Sequence, residues 1–340
     1  MNDEFRNLVA KWINEDASGT ENIAEANYHI NYMDTHLYDE YIPTAGVQHP
    51  AFQTRLAKWV LAAGSEHDQK QLFKLASKIF FVGEKEMTAL YYTAFSKHIL
   101  CWLASSGAVD LLSNTAADMM QAKLKNTLFT AVTDSLDIGK FLRLNNIQAD
   151  PRYIWKQGAS TWDGAQFERD YLKGRTHVVL LEDFVGSGDQ MLEAVIKCLQ
   201  LPSQPLVLLC PLVICWLGDK HAREIAAANP RMTYSPVLTI DKEACLTEQP
   251  QASESHVFTH ARPVIAKLHP RLRGSTSDWQ QDYGPHGFPG GRTHPIFGKL
   301  TGIGGLTVKY DNCPDNTLPI LHRKSDLWEP LFFRQSRLPE

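Results

Sequence analysis

His177-Val-Val-Leu-Leu-Glu-Asp-Phe-Val-Gly-Ser-Gly-Asp-Gln190 is the stretch on which the reading of this chain turns. Four apolar residues, Val178 to Leu181, run straight into two adjacent carboxylates, Glu182 and Asp183. A glycine-rich turn follows, Gly186-Ser187-Gly188, and then an amphipathic run from Met191 to Leu199. This pattern predicts a buried parallel strand, a tight loop and a helix. A helix N-terminus behind a small-residue loop offers backbone N–H groups that suit a phosphate. The acidic pair suits vicinal hydroxyls, or Mg²⁺ held through water. Phosphate donors and hydroxyl acceptors a few residues apart describe a ribose-5-phosphate site.

Other readings of the same residues fare less well. A Walker loop needs a lysine directly after its glycines, and none follows here until Lys197. A dinucleotide fingerprint needs a third glycine where Met191 stands, behind a strand that ends apolar rather than in Glu-Asp. A purely structural strand-turn-helix junction, its acids capping the helix, stays open.

Working outward, residues 127 to 240 alternate between β-prone and helical runs. Thr127 to Val132 reads as a strand, Asp137 to Leu144 as a helix and Leu206 to Ile214 as a strand. Asp219 to Ala228 then reads as a helix and Met232 to Leu238 as β-prone. Such alternation predicts an α/β fold, a parallel sheet with helices on both faces and ligands at the carboxyl ends of its strands. Thr133-Asp134-Ser135 follows the first strand and should sit beside Glu182. An N-cap for the next helix is an equal reading of those three residues.

Upstream, Glu4 to Ile13, Phe52 to Ala63, Gln69 to Phe81, Glu86 to Ala104 and Val109 to Lys125 carry apolar residues at helical spacing. From about Gln249 the chain reads as loop-rich. Residues 284 to 305 hold eight of its 21 glycines, as suits tight turns, close backbone approach to a ligand, or a lid. The regions expected are a helical N-terminal part (1–126), an α/β core (127–248) and a glycine-rich, loop-rich C-terminal hood with tail (249–340).

The 177–190 segment resembles the phosphoribosyl-diphosphate (PRPP) signature of type I phosphoribosyltransferases. Glu182 and Asp183 match its acidic pair, Phe184 and Val185 its apolar pair, and Ser187-Gly188 its loop centre. The resemblance implies that the two carboxylates hold the ribose hydroxyls and, indirectly, Mg²⁺. Gly186, Ser187, Gly188, Asp189 and Gln190 would hold the 5′-phosphate. Thr133, Asp134, Ser135 and Arg292 would lie on the diphosphate side, with Lys299 a further available cation. Gly186 departs from the hydroxylated residue usual there, and Asp189-Gln190 from small or hydroxylated ones. A carboxylate beside a phosphate is repulsive unless Asp189 turns outward to cap the helix, so the departures favour binding over efficient turnover.

Asn312-Cys-Pro-Asp-Asn-Thr-Leu-Pro319 and Trp328-Glu-Pro-Leu-Phe-Phe-Arg334, with Thr133-Asp134-Ser135, are similar to a bacterial group of phosphoribosyltransferase-like proteins of conflict systems, PRTase-CE. Membership would imply an effector of anti-phage defence acting on PRPP or a related ribose phosphate. Its encoded partners would be of the kind found in retrons, a reverse transcriptase with its RNA. Displacement at ribose C1 would be the chemistry. A nucleotide or PRPP sensor without turnover, and an interaction scaffold, are the alternatives. From the residues alone, Leu331, Phe332 and Phe333 read as a core anchor.

Composition sets the outer limits. The 340 residues are 44% hydrophobic and 21% charged, ample for a globular core. A net charge of −4 gives no global field toward nucleic acid or anionic membrane. His269-Pro-Arg271-Leu-Arg273 is a modest local basic cluster, read as a solvated loop. Six cysteines make no Cys-x-x-Cys pair, and Cys198, Cys210 and Cys215 sit in apolar runs as small core residues. His256-Val-Phe-Thr-His260 has i, i+4 spacing without a glutamate partner, a weak metal signal. With no signal segment at its start, the chain is expected in the cytoplasm, its thiols reduced.

Overall fold

The computed structural model describes all residues except 1–2, 17, 44–48, 108, 149–152, 156–161, 274–282, 289–292, 295–297, 300–301 and 335–340, with 293–294 and 298–299 as backbone only. Two compact units emerge, one from Lys85–Asp241 and one from Met1–Glu84 together with Lys242–Glu340. They divide the chain differently from the three sequence regions. Residues 85–126 pack with the α/β core, while 249–340 join the N-terminal helices.

The discontinuous unit begins with helices α1 (Asp3–Glu15), α2 (Ile23–His36), α3 (Phe52–Leu61) and α4 (Glu66–Ala76), followed by strand β1 (Phe80–Val82). The helical run expected over Gln69–Phe81 therefore ends early, and its last residues pair as strand. The chain then enters the α/β unit. Helix α5 (Glu84–Thr93) passes through a π-helical segment (Ala94–Ile99) into α6 (Leu100–Ser105), and α7 (Ala116–Lys125) follows.

The α/β core comprises β2 (Thr127–Ala131), α8 (Ile138–Leu144), α9 (Gly164–Phe167), β3 (His177–Val185), α10 (Asp189–Leu199), β4 (Leu206–Cys215), α11 (Trp216–Ala228), β5 (Met232–Tyr234) and β6 (Leu238–Ile240). The sheet runs β2-β3-β4-β5, all parallel, with β6 pairing the far half of β4. Every residue of β2 is buried, and so is nearly every residue of β3 and β4, as a sheet covered on both faces requires. Helices α10 and α11 touch each other, while the π-helical segment packs on β4. The chain is thus an α/β protein with a parallel sheet, as expected. The expected core cysteines Cys198, Cys210 and Cys215 are fully buried free thiols.

The chain returns to the first unit with α12 (His256–Arg273), β7 (Thr293–His294), β8 (Gly298–Lys299), β9 (Thr307–Lys309) and α13 (Pro319–His322). Helix α12 corrects the expectation of loop after Gln249. Pro263 and Pro270 lie inside it, and proline ordinarily interrupts a helix. Here Phe258, Ala261, Val264, Ile265, Leu268 and Leu272 are buried along one face, and that packing outweighs the two lost N–H groups. The basic cluster is accordingly the end of a helix. Arg271 bonds the carbonyls of Ala62 and Leu327 and lies over the Trp328 ring.

Strands β1 and β9 pair in parallel within this unit. Of the expected anchor, Leu331 and Phe332 are buried, while Phe333 is half-buried and stacks on the His49 ring. Trp328 is buried too, and the Trp59 and Trp328 indoles both donate to the Ile320 carbonyl, at 2.7 and 3.1 Å. Buried Arg55 binds the carbonyl of Leu331 and faces the rings of Tyr41, Phe52 and Phe332. The described C-terminal glycines meet the chain's own backbone. A Cβ on Gly304, which has φ +69°, would fall 1.9 Å from the Leu246 oxygen. No helix among the described residues is long and apolar enough to cross a membrane.

Candidate functional site

Three strand ends of the α/β unit meet in one neighbourhood. Strand β2 leads into Thr133-Asp134-Ser135, β3 into Gly186-Ser187-Gly188, and β4 directly into α11. Carboxyl ends of parallel strands are where such sheets bind ligands.

Strand β3 is longer than its apolar core suggested. Glu182 pairs in register with Pro211 of β4, and pairing resumes at Phe184 with Val213 and Val185 with Ile214. The acidic residues therefore lie inside the strand rather than beyond its end, because the apolar run of β4 continues to Cys215 and keeps its neighbour extended. Pro211 has no N–H to give, so the ladder is weakened beside the carboxylates. Both acids are buried, Glu182 at 4% and Asp183 at 2% exposure.

Buried carboxylates need hydrogen-bond donors, and the loop after β2 supplies them. Thr133 gives its backbone N–H to Glu182 Oε2 at 2.9 Å and its hydroxyl to Oε1 at 2.5 Å. Ser135 Oγ lies 2.8 Å from Asp183 Oδ1 and 3.2 Å from Glu182 Oε1, so one hydroxyl spans the two acids. The two hydroxyl oxygens are 2.6 Å apart. Asp183 also receives the N–H of Phe184 at 2.7 Å. Burial pushes the Glu182 carboxyl above the ordinary carboxylate range, and the neighbouring Asp183 charge adds to that; the bonds from Thr133 and Ser135 oppose it. Asp134, between them, is exposed.

The 186–188 turn is held from below by α11. Gly218 donates its N–H to the Gly186 carbonyl at 3.0 Å, and His221 Nδ1 lies 2.9 Å from the Ser187 carbonyl. Since a carbonyl only accepts, His221 carries its proton on Nδ1. Burial lowers its pKa, and the bond to Ser187 partly offsets this. Gly218 must be glycine, because a Cβ there would sit 2.7 Å from the Gly186 oxygen and 2.9 Å from Val185 Cγ1. A trans peptide directs its N–H opposite to its C=O. With the carbonyls of residues 186 and 187 held toward α11, the N–H groups of Ser187 and Gly188 face the other way, beside the open first turn of α10.

Gly188, with φ +91°, is the N-cap of α10. Asp189, expected as a cap, is instead the first helical residue and half-buried, and Gln190 is exposed. The structure brings Thr133, Ser135, Glu182 and Asp183 into direct contact. Arg292 lies outside the described residues, and Lys299 is described only as backbone of β8. Gly218 and His221 went unread in the sequence. Their partners are backbone carbonyls, which leave no side-chain signature.

Two hard carboxylates suit Mg²⁺, which takes one or two of them and completes its shell with water and substrate oxygens. Among the described residues no group of three or more His, Cys, Asp and Glu could cage a metal by itself. His256 and His260 lie on α12, their Nε2 atoms 3.1 Å apart.

A family model described as PRTase-CE matches residues 58–334. No curated protein and no solved structure matches the chain.

Proposed function

Given that the chain belongs to the PRTase-CE family, the phosphoribosyltransferase-like group of conflict systems, we propose that it binds PRPP or a related ribose phosphate as an effector of anti-phage defence. In this reading Glu182 and Asp183 accept hydrogen bonds from the ribose hydroxyls. The N–H groups of the 186–190 segment receive the 5′-phosphate, and Thr133 and Ser135 border the diphosphate. Mg²⁺ would enter with the diphosphate, reach the acids through water, and supply neutralisation of the leaving group's charge. The chain's own residues position the sugar and provide no nucleophile. A defence-operon partner, such as a reverse transcriptase with its RNA, belongs to the same reading.

One observation carries it: two buried carboxylates and, two residues on, a turn whose Gly186 and Ser187 carbonyls are held by α11 lie at the carboxyl edge of a parallel sheet. Half-buried Asp189 at the first position of α10 favours a second reading, a sensor that binds without turnover, because a carboxylate stands there in place of the small or hydroxylated residue usual in the phosphate loop.

Calorimetric titration of the full chain with PRPP, with and without Mg²⁺, tests binding. Micromolar affinity that disappears in Glu182→Ala/Asp183→Ala is expected. No heat with PRPP from either protein would remove the reading. Consumption of PRPP in the same samples separates enzyme from sensor.

A further inference from the structure

Thr133 and Ser135 belong to the loop after β2, yet their hydroxyls do what a sugar would do. The two oxygens are 2.6 Å apart, the spacing of neighbouring oxygens on a vicinal diol. One reaches Glu182 Oε1 at 2.5 Å and the other Asp183 Oδ1 at 2.8 Å. A ribose held through its 2′- and 3′-hydroxyls would present that same pair of donors to that same pair of acids.

We propose that Thr133 and Ser135 act as an internal surrogate diol, an autoinhibitory contact that the cis-diol of a ribose phosphate must displace. This rests on the reading of the acidic pair as a sugar site.

Burial supports displacement over simple addition. Glu182, Asp183 and Thr133 are each no more than 4% exposed, so a sugar cannot reach the carboxylates while both hydroxyls stay in place. Ser135 is the half-buried member and closes the solvent side. The exchange is nearly balanced in hydrogen bonds, since two donors leave as two arrive. The backbone N–H of Thr133, 2.9 Å from Glu182 Oε2, need not move and keeps one acid oriented throughout. The device would tie sugar entry to a shift of the loop, and it explains how both acids remain solvated by protein when no sugar is present. It selects for ligands with a free cis-diol over 2-deoxyribose phosphates, which offer one hydroxyl for two.

The sign of the predicted effect sets the idea apart. Thr133→Val/Ser135→Ala removes the competing hydroxyls and keeps the volume of residue 133. Titrated with ribose 5-phosphate, this variant should bind about tenfold more tightly than wild type while melting at a lower temperature, because its acids lack their donors. Ser135→Ala alone, at the half-buried position, should move in the same direction by less and serves if the double variant does not fold. Equal or weaker binding of ribose 5-phosphate by a folded variant, with wild type binding normally, overturns the surrogate diol and leaves the sugar site standing. Weaker binding of PRPP and unchanged binding of ribose 5-phosphate overturns it too, and assigns the loop to the diphosphate alone. If neither wild type nor variant binds either compound, the sugar site falls and the surrogate with it.

Discussion

At the scale of single residues, His221 shows how a site is held by groups that sequence patterns do not reveal. It lies 34 positions from Ser187 and gives a proton on Nδ1 to that residue's carbonyl. His221→Leu should free the carbonyl and let the 187–188 peptides turn, weakening ribose 5-phosphate binding about tenfold. His221→Asn, whose side-chain amide can replace the Nδ1 donor, should recover much of that loss. Equal affinity in all three proteins would show that the turn needs no support from α11. Glu182 and Thr133 stand at the other extreme. An acidic pair after an apolar run, and a hydroxylated triplet after the neighbouring strand, could be placed side by side from the sequence because adjacent parallel strands end on one edge. What the sequence could not supply was Ser135 spanning both acids, a detail set by the turn of the loop rather than by spacing.

At the scale of elements, legibility followed periodicity. Strands β2 and β4 and helices α1, α3 and α8 lie close to their expected positions, since each carries its own apolar pattern. Helix α2 was passed over. Its buried residues, Ile23, Ala26, Ile30 and Met33, form a thin stripe among tyrosines, histidines and asparagines, so its apolar pattern is weak. Helix α12 was hidden by two prolines that its tertiary packing overrides. The C-terminal anchor was legible for Leu331 and Phe332, large apolar residues that are buried, but not for the half-buried Phe333. Phe332 packs against Tyr38, Tyr41, Phe52 and Phe81. Truncating it to alanine should cost about 3–5 kcal/mol, read as a lowered urea midpoint. A loss below about 1 kcal/mol would mean that the tail is not part of the core.

At the scale of the whole molecule, the organisation is a single α/β unit inserted into a unit built from both ends of the chain. That pairing of distant segments was not legible, because α1–α4 and the 242–340 region each look incomplete and nothing local says they complete one another. The PRTase-CE match, over residues 58–334, runs through both units, so the family is defined by more than the sheet and its turn. The proposed site is nonetheless local: a ribose phosphate at the edge formed by β2 and β3. Amide hydrogen exchange of the full chain, with and without PRPP and Mg²⁺, addresses it most directly. Slower exchange is expected at residues 186–190 and faster exchange at Ser135, whose N–H bonds Thr133 Oγ1, on addition of ligand, with neither change in Glu182→Ala/Asp183→Ala. Unchanged exchange at both loops, or protection confined to other segments such as 256–273, would contradict it.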